Sequence, residues 1–169
     1  MKHNSKAVLV AEYGMLIALA CIFSYIEAIN PIPFPVPGIK LGLANLVSVV
    51  GLYLVGIPGT VAISLIRILL MGFSFNTSSL IYSLAGGTLS LLLMIAAKKS
   101  GWFGKVGVSV IGGIGHNIGQ ITAAALVVKT AGIFAYLPVL LIAGVIAGAV
   151  IGILGGLVVQ RVQGLVKKV

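Results

Sequence analysis

Apolar residues run along this chain in long blocks rather than in strict alternation, with glycine, proline, polar or basic residues between the blocks. The blocks cover 7–28, 41–56, 57–73, 79–97, 106–128 and 137–160. They predict six helices, since about 20 apolar residues carry a helix across roughly 30 Å of hydrocarbon. Between them lie the proline-rich stretch 29–40, the tight Gly56-Ile57-Pro58-Gly59 break, the segment from Phe73 to Ser78, a basic loop from Lys98 to Lys105 and a connection from Lys129 to Tyr136. The second and third blocks are the shortest, so each reads either as a span or as a re-entrant helix.

Charge favours two spans there. With the N-terminus inside and six crossings, Lys2, Lys6, Lys98, Lys99, Lys105, Arg161, Lys167 and Lys168 fall on the cytoplasmic side, while Lys40 and Lys129 fall outside. That asymmetry is the one membrane insertion imposes. Removing one crossing between 41 and 73 would place the basic loop and the basic tail opposite the basic N-terminus. The expected architecture is an all-α integral membrane protein, one transmembrane domain over 1–169, built as a six-helix bundle with both termini cytoplasmic. Lys2 and Lys6 ahead of an apolar run ending Ala18-Leu19-Ala20-Cys21 faintly resemble a secretory signal and cleavage box. Glu12 interrupts that run and Ile22-Phe23 continues it, so a retained first helix is expected.

Composition then narrows the chemistry. Of 169 residues, 60% are hydrophobic and 8% charged, with 11 Lys+Arg against 2 acids, and the mean hydropathy is +1.24. The acids are Glu12 and Glu27, and there is no aspartate. Carboxylate dyads, aspartate-rich diphosphate sites and carboxylate-held divalent metals all need acids this chain lacks. One cysteine, Cys21, and two histidines build neither a disulfide nor a conventional zinc site. No catalytic residue, metal or resident cofactor is expected. The net charge of +9 records topology rather than nucleic-acid binding, because the lysines sit in short loops. Gly113-Ile114-Gly115 has no βαβ context and Gly104-Lys105 is followed by valine, so neither is a nucleotide loop. Any ATP-driven step would come from another subunit.

Polar groups inside lipid are costly unless they face a cavity or a partner, which makes their depth informative. On the six-span reading Glu27 ends helix 1 on the outer side, Lys40 and Asn45 begin helix 2, Arg67 lies in the outer half of helix 3 and Asn76 follows it. His116, Asn117 and Gln120, within Gly112-Gly113-Ile114-Gly115-His116-Asn117-Ile118-Gly119-Gln120, cover one face of helix 5. Together they predict a polar cavity open to the outside and a substrate-binding role for Lys40, Asn45, Arg67, Asn76, His116, Asn117 and Gln120. Two roles stay open for Arg67: a structural pair with Glu27, or contact with an anionic group on a ligand. His116 and Asn117 can equally hydrogen-bond a neighbouring helix.

Pro31, Pro33, Pro35 and Pro37 alternate with apolar residues including Phe34, so this stiff, non-helical loop is expected to lie as a lid over the outer mouth. Gly144, Gly148, Gly152 and Gly156 recur every fourth residue on helix 6, a face for close helix packing, within the bundle by default or at a dimer seam. Ala7, Ala11, Gly14 and Ala18 form a second flat stripe, on helix 1, able to meet either an internal helix or an external membrane partner.

The stretches PIPFPVPGIKLGLANL (31–46), YSLAGGTLSLLLM (82–94), GGIGHNIGQ (112–120) and YLPVLLIAG (136–144) resemble the small bacterial membrane family called Gx transporter or, historically, heptaprenyl diphosphate synthase component I. That family is similar to the substrate-binding S components of energy-coupling factor (ECF) transporters. The resemblance implies a multi-pass protein of the bacterial cell membrane that captures a small molecule from outside, flavin-, quinone- or isoprenoid-related. It also implies a lid in the first outer loop and small residues of helix 1 contacting an energising module of coupling subunit and ATPases. Some members are linked to flavin- and quinone-based extracellular electron transfer beside an FMN-binding partner, and the older name implies a non-catalytic accessory to prenyl diphosphate synthesis. Without aspartate, prenyl-chain elongation by this chain alone is not expected.

Overall fold

The computed structural model describes residues 6–29, 42–75 and 77–166, with the side chains of 73–79 and 165–166 left aside. Six α-helices follow one another: α1 (Lys6–Ile29), α2 (Leu43–Leu54), α3 (Gly56–Phe75), α4 (Thr77–Ser100), α5 (Lys105–Val128) and α6 (Leu137–Val166). A 3₁₀ turn over Ala131–Tyr136 leads into α6 where a plain connection was expected. The expected lid prolines Pro31, Pro33, Pro35 and Pro37, with Phe34, Lys40 and Asn76, lie outside the described residues.

Each apolar block becomes one helix, but two boundaries differ from the pattern. Helix extends into the break expected over 73–78, with α3 described to Phe75 and α4 from Thr77, since neither proline nor glycine stands between Phe73 and Ser79 to stop α3 or delay α4. The block 41–56 yields a helix of only 12 residues. Gly42 (φ +76°) and Gly56 (φ +81°) bracket it, both in the left-handed region that a side chain resists, and the chain turns at each. At 1.5 Å per residue α2 reaches about 18 Å, short of a bilayer core of roughly 30 Å.

Four helical stretches are long and apolar enough to cross a membrane: Lys6–Ile29, Leu80–Ser100, Lys105–Val128 and Ala131–Gly164, while Leu43–Leu54 and Gly56–Gly72 are shorter apolar helices. The chain is thus a helical membrane protein, and α2 is the shortest of its described α-helices. Its position explains that length. α2 packs against α1, α3, α5 and α6, and Ala44, Asn45, Val47, Ser48, Val49, Val50, Gly51 and Leu52 are all buried. A helix surrounded by protein has no lipid to match in length.

Sequential helices run antiparallel, as close contacts show. Ser48 and Ser64 Oγ atoms meet at 3.4 Å between α2 and α3. A Cβ at Gly119 would come 2.5 Å from the Ala85 carbonyl between α5 and α4. The helix 6 glycines serve the bundle: a Cβ on Gly144 would meet the Gly113 carbonyl at 3.0 Å, on Gly148 the Val110 Cα at 2.7 Å, and on Gly152 the Val106 Cα at 2.7 Å. Gly156 meets only the Lys105 side chain, at 3.8 Å. α1 is held more loosely, with Leu16 and Ala20 its buried residues.

Candidate functional site

One end of the bundle gathers the C-terminal part of α1, the start of α2, the middle of α3 and the centre of α5 around a hollow. Ser24, Glu27, Ala28, Gly42, Ala44, Asn45, Arg67, Ser83 and His116 are among its walls, and its interior volume is about 30 Å³. A second hollow of about 10 Å³ adjoins it, sharing Gly42, Asn45 and His116 and reaching Ser109, Asn117 and the glycines of α6. That space admits water-sized guests. A metabolite enters only if the walls part, and α1, with so little of its surface buried, is the wall least held.

Arg67 is the cation inside the bundle, only 9% exposed. Its Nη1 donates to Ser24 Oγ at 3.1 Å, and it interacts electrostatically with Glu27 across the same wall. Glu27 does more than face Arg67. Its Oε1 accepts the backbone N–H of Leu43 at 2.9 Å, so a carboxylate from α1 caps the positive end of α2. At the other end of α2, Lys98 Nζ donates to the Leu52 carbonyl and lies 4.7 Å from the Tyr53 ring centroid. Lys105 Nζ lies 5.7 Å from the same ring. This short helix thus has one N–H at its start met by an anion and one C=O at its end met by a cation, each at the end its dipole favours.

Among the residues expected to bind substrate, the structure brings Asn45, Arg67 and His116 to one hollow, with Glu27 beside them. The α5 trio divides. His116 faces the cavity, while Gln120 packs its Cγ where a Cβ on Gly86 of α4 would lie, 2.7 Å away. Asn117 turns to α6, where its Nδ2 donates to the Leu140 carbonyl at 2.6 Å, although it also lines the smaller hollow. An Asn117→Leu substitution removes that bond; a loss of about 1 kcal/mol is expected, read as a lowered unfolding midpoint in detergent. An unchanged midpoint would show that the bond contributes nothing.

Ser24 and Ser83 were not singled out by the sequence. Ser24 lies one turn before Glu27, on the same face of α1, and that spacing was the available signal. Ser83 has none, because serine is common in membrane helices. Ala7, Ala11, Gly14 and Ala18 are all exposed, and a Cβ on Gly14 would find nothing within 4 Å. This stripe of α1 faces away from the bundle. Among the described residues no group of three or more His, Cys, Asp or Glu could hold a metal ion.

Among curated proteins and solved structures, no match is found. A family model does match, described as heptaprenyl diphosphate synthase component I and covering residues 16–158, which runs from within α1 to within α6 and includes each wall of the hollow. This chain, a helical membrane protein with a polar hollow at one end, belongs to the heptaprenyl diphosphate synthase component I family.

Proposed function

We propose that this protein captures a small molecule at the outer face of the bacterial cell membrane, in the manner of the S components of ECF transporters. The observation that carries the reading is the convergence of a buried arginine, a carboxylate, an amide, two serines and an imidazole on one hollow of an otherwise apolar bundle. Such groups are costly in lipid and earn retention where they meet a guest. The guest is small, anionic or partly apolar, as flavin-, quinone- and isoprenoid-related molecules are. Lys40, Asn76 and the proline loop, which lie outside the described residues, are assigned to the site and its cover on the sequence pattern. The exposed Ala7, Ala11, Gly14 and Ala18 stripe offers a membrane-embedded coupling subunit a flat face for close approach.

Retention tests this directly. Purified protein in lipid nanodiscs is incubated with a bacterial metabolite extract and washed, and bound molecules are read by mass spectrometry. A retained compound is expected that falls at least tenfold with Arg67→Ala and with Asn45→Ala, whereas Gly14→Leu keeps it and loses co-purification with the coupling subunit. Equal retention by wild type and both cavity variants would remove the site.

The family description favours a second reading, a non-catalytic accessory to prenyl diphosphate synthesis. It predicts that adding this protein raises the chain-elongation rate of a partner synthase, with no elongation by this chain alone.

A further inference from the structure

The start of α2 opens into the hollow: Gly42, Ala44 and Asn45 line it together with Ser24, Glu27 and Arg67. A helix start carries partial positive charge and inward-pointing N–H groups, which suits an anion. The anion already placed there is a side chain, since Glu27 Oε1 takes the Leu43 N–H at 2.9 Å. Arg67 supplies the second, independent observation. It is nine-tenths buried and lines the same hollow, with one N–H spent on the neutral Ser24 hydroxyl. Its Nε has no hydrogen-bond partner among the described residues. A buried guanidinium with a donor to spare and a helix start, converging on one cavity, form a receptor for a planar or tetrahedral oxyanion.

We infer that Glu27 is an internal stand-in for the substrate: its carboxylate holds, beside Arg67 at the start of α2, the place that the carboxylate or phosphate of an anionic guest takes. This rests on the capture reading and specifies its chemistry. Charge balance favours the exchange. With Glu27 in place, a guest anion would add a second negative charge beside Arg67 and the helix start in a low-dielectric site; with Glu27 withdrawn, one anion simply replaces another. Glu27 can withdraw because it belongs to α1, whose buried residues are Leu16 and Ala20, both well before the cavity. Guest binding therefore moves the C-terminal end of α1 away from α2, and Glu27 sets the selectivity by competing with every anion that enters.

The test follows thermal unfolding of the full chain in detergent at constant ionic strength, titrated with acetate, inorganic phosphate and acetamide, the neutral isostere of acetate. Wild type should be stabilised by acetate or phosphate and not by acetamide, and the stronger of the two anions tells a carboxylate guest from a phosphate one. Glu27→Gln, which keeps an acceptor for Leu43 but removes the competing charge, should respond at concentrations at least tenfold lower. Arg67→Gln should not respond; should it fail to fold, Arg67→Lys, which keeps the charge but lacks Nε, should need at least tenfold more anion. A Glu27→Gln protein that responds at the same or higher concentrations than wild type, or to neither anion, overturns the inference, as does an Arg67→Lys protein that responds like wild type. The metabolite experiment makes no assumption about charge, so a neutral guest retained there with no anion response here would sink this inference alone.

Discussion

Gly148→Leu is expected to prevent α5 and α6 from seating, at a cost of about 3 kcal/mol or more, whereas Gly156→Leu in the same stripe should cost less than about 1 kcal/mol. At Gly148 even a Cβ would lie 2.7 Å from the Val110 Cα and 3.0 Å from the Ser109 carbonyl, backbone atoms that no rotamer change can move. At Gly156 the nearest atom is the Lys105 Cδ at 3.8 Å, on a flexible side chain. Membrane helices gain little from burying apolar surface against each other, so close backbone approach and the dispersion it brings are what join α5 to α6. Detergent unfolding of both variants decides the matter: equal damage at the two positions would mean that the stripe acts as a whole, and no damage at Gly148 would mean that the α5–α6 contact is looser than described.

Removing both charges that close α2 is expected to cost about 2–4 kcal/mol, with Glu27→Ala and Lys98→Met contributing about 1–2 kcal/mol each. The two caps sit at opposite ends of a helix about 18 Å long, so their effects should nearly add. Glu27→Ala leaves the Leu43 N–H without its carboxylate. Lys98→Met leaves the Leu52 carbonyl without its ammonium and removes the cation held 4.7 Å from the Tyr53 ring. Because α2 touches four other helices, its loosening should appear as loss of the whole cooperative transition rather than as a local event. Unfolding free energies of the two single variants and the double variant measure this; a double variant as stable as wild type would show that packing alone holds a short helix inside the bundle.

These two results bear on function as well as on stability. Glu27 both closes α2 and faces Arg67, so under the inferred exchange the residue that steadies the cavity wall is also the one a guest displaces. Withdrawal of Glu27 by a guest costs α2 its cap, and the guest's own anionic group must restore it. Selectivity for an anion follows from that replacement, since a neutral guest leaves the helix start uncompensated.

Much of the bundle was legible along the chain because lipid imposes a single rule on every span: about 20 apolar residues, with the backbone bonded within the segment. The six blocks each became one helix, and the glycine stripe of α6 met α5 at close range, since a small-residue repeat at helical spacing has few other uses in a membrane. Part of the polar clustering was legible too. Asn45, Arg67 and His116 are costly in lipid wherever they lie, and one hollow is lined by all three. The face shared by His116, Asn117 and Gln120 was legible only as a face. Spacing places side chains on one side of a helix but does not say which neighbour each one meets: here Gln120 packs on Gly86 of α4, while Asn117 donates to the Leu140 carbonyl of α6.

The sequence by itself determined that this chain is a helical membrane protein with few charges and no aspartate, because hydropathy and composition act residue by residue and need no partner. The tertiary structure alone decided that α2 is a short buried helix, that Glu27 and Lys98 close its ends, and that Ser24 joins Arg67. Each of these depends on which helix lies beside which. A glutamate 16 residues before Leu43 and a lysine 46 residues after Leu52 become caps only when α1 and α4 are packed around α2.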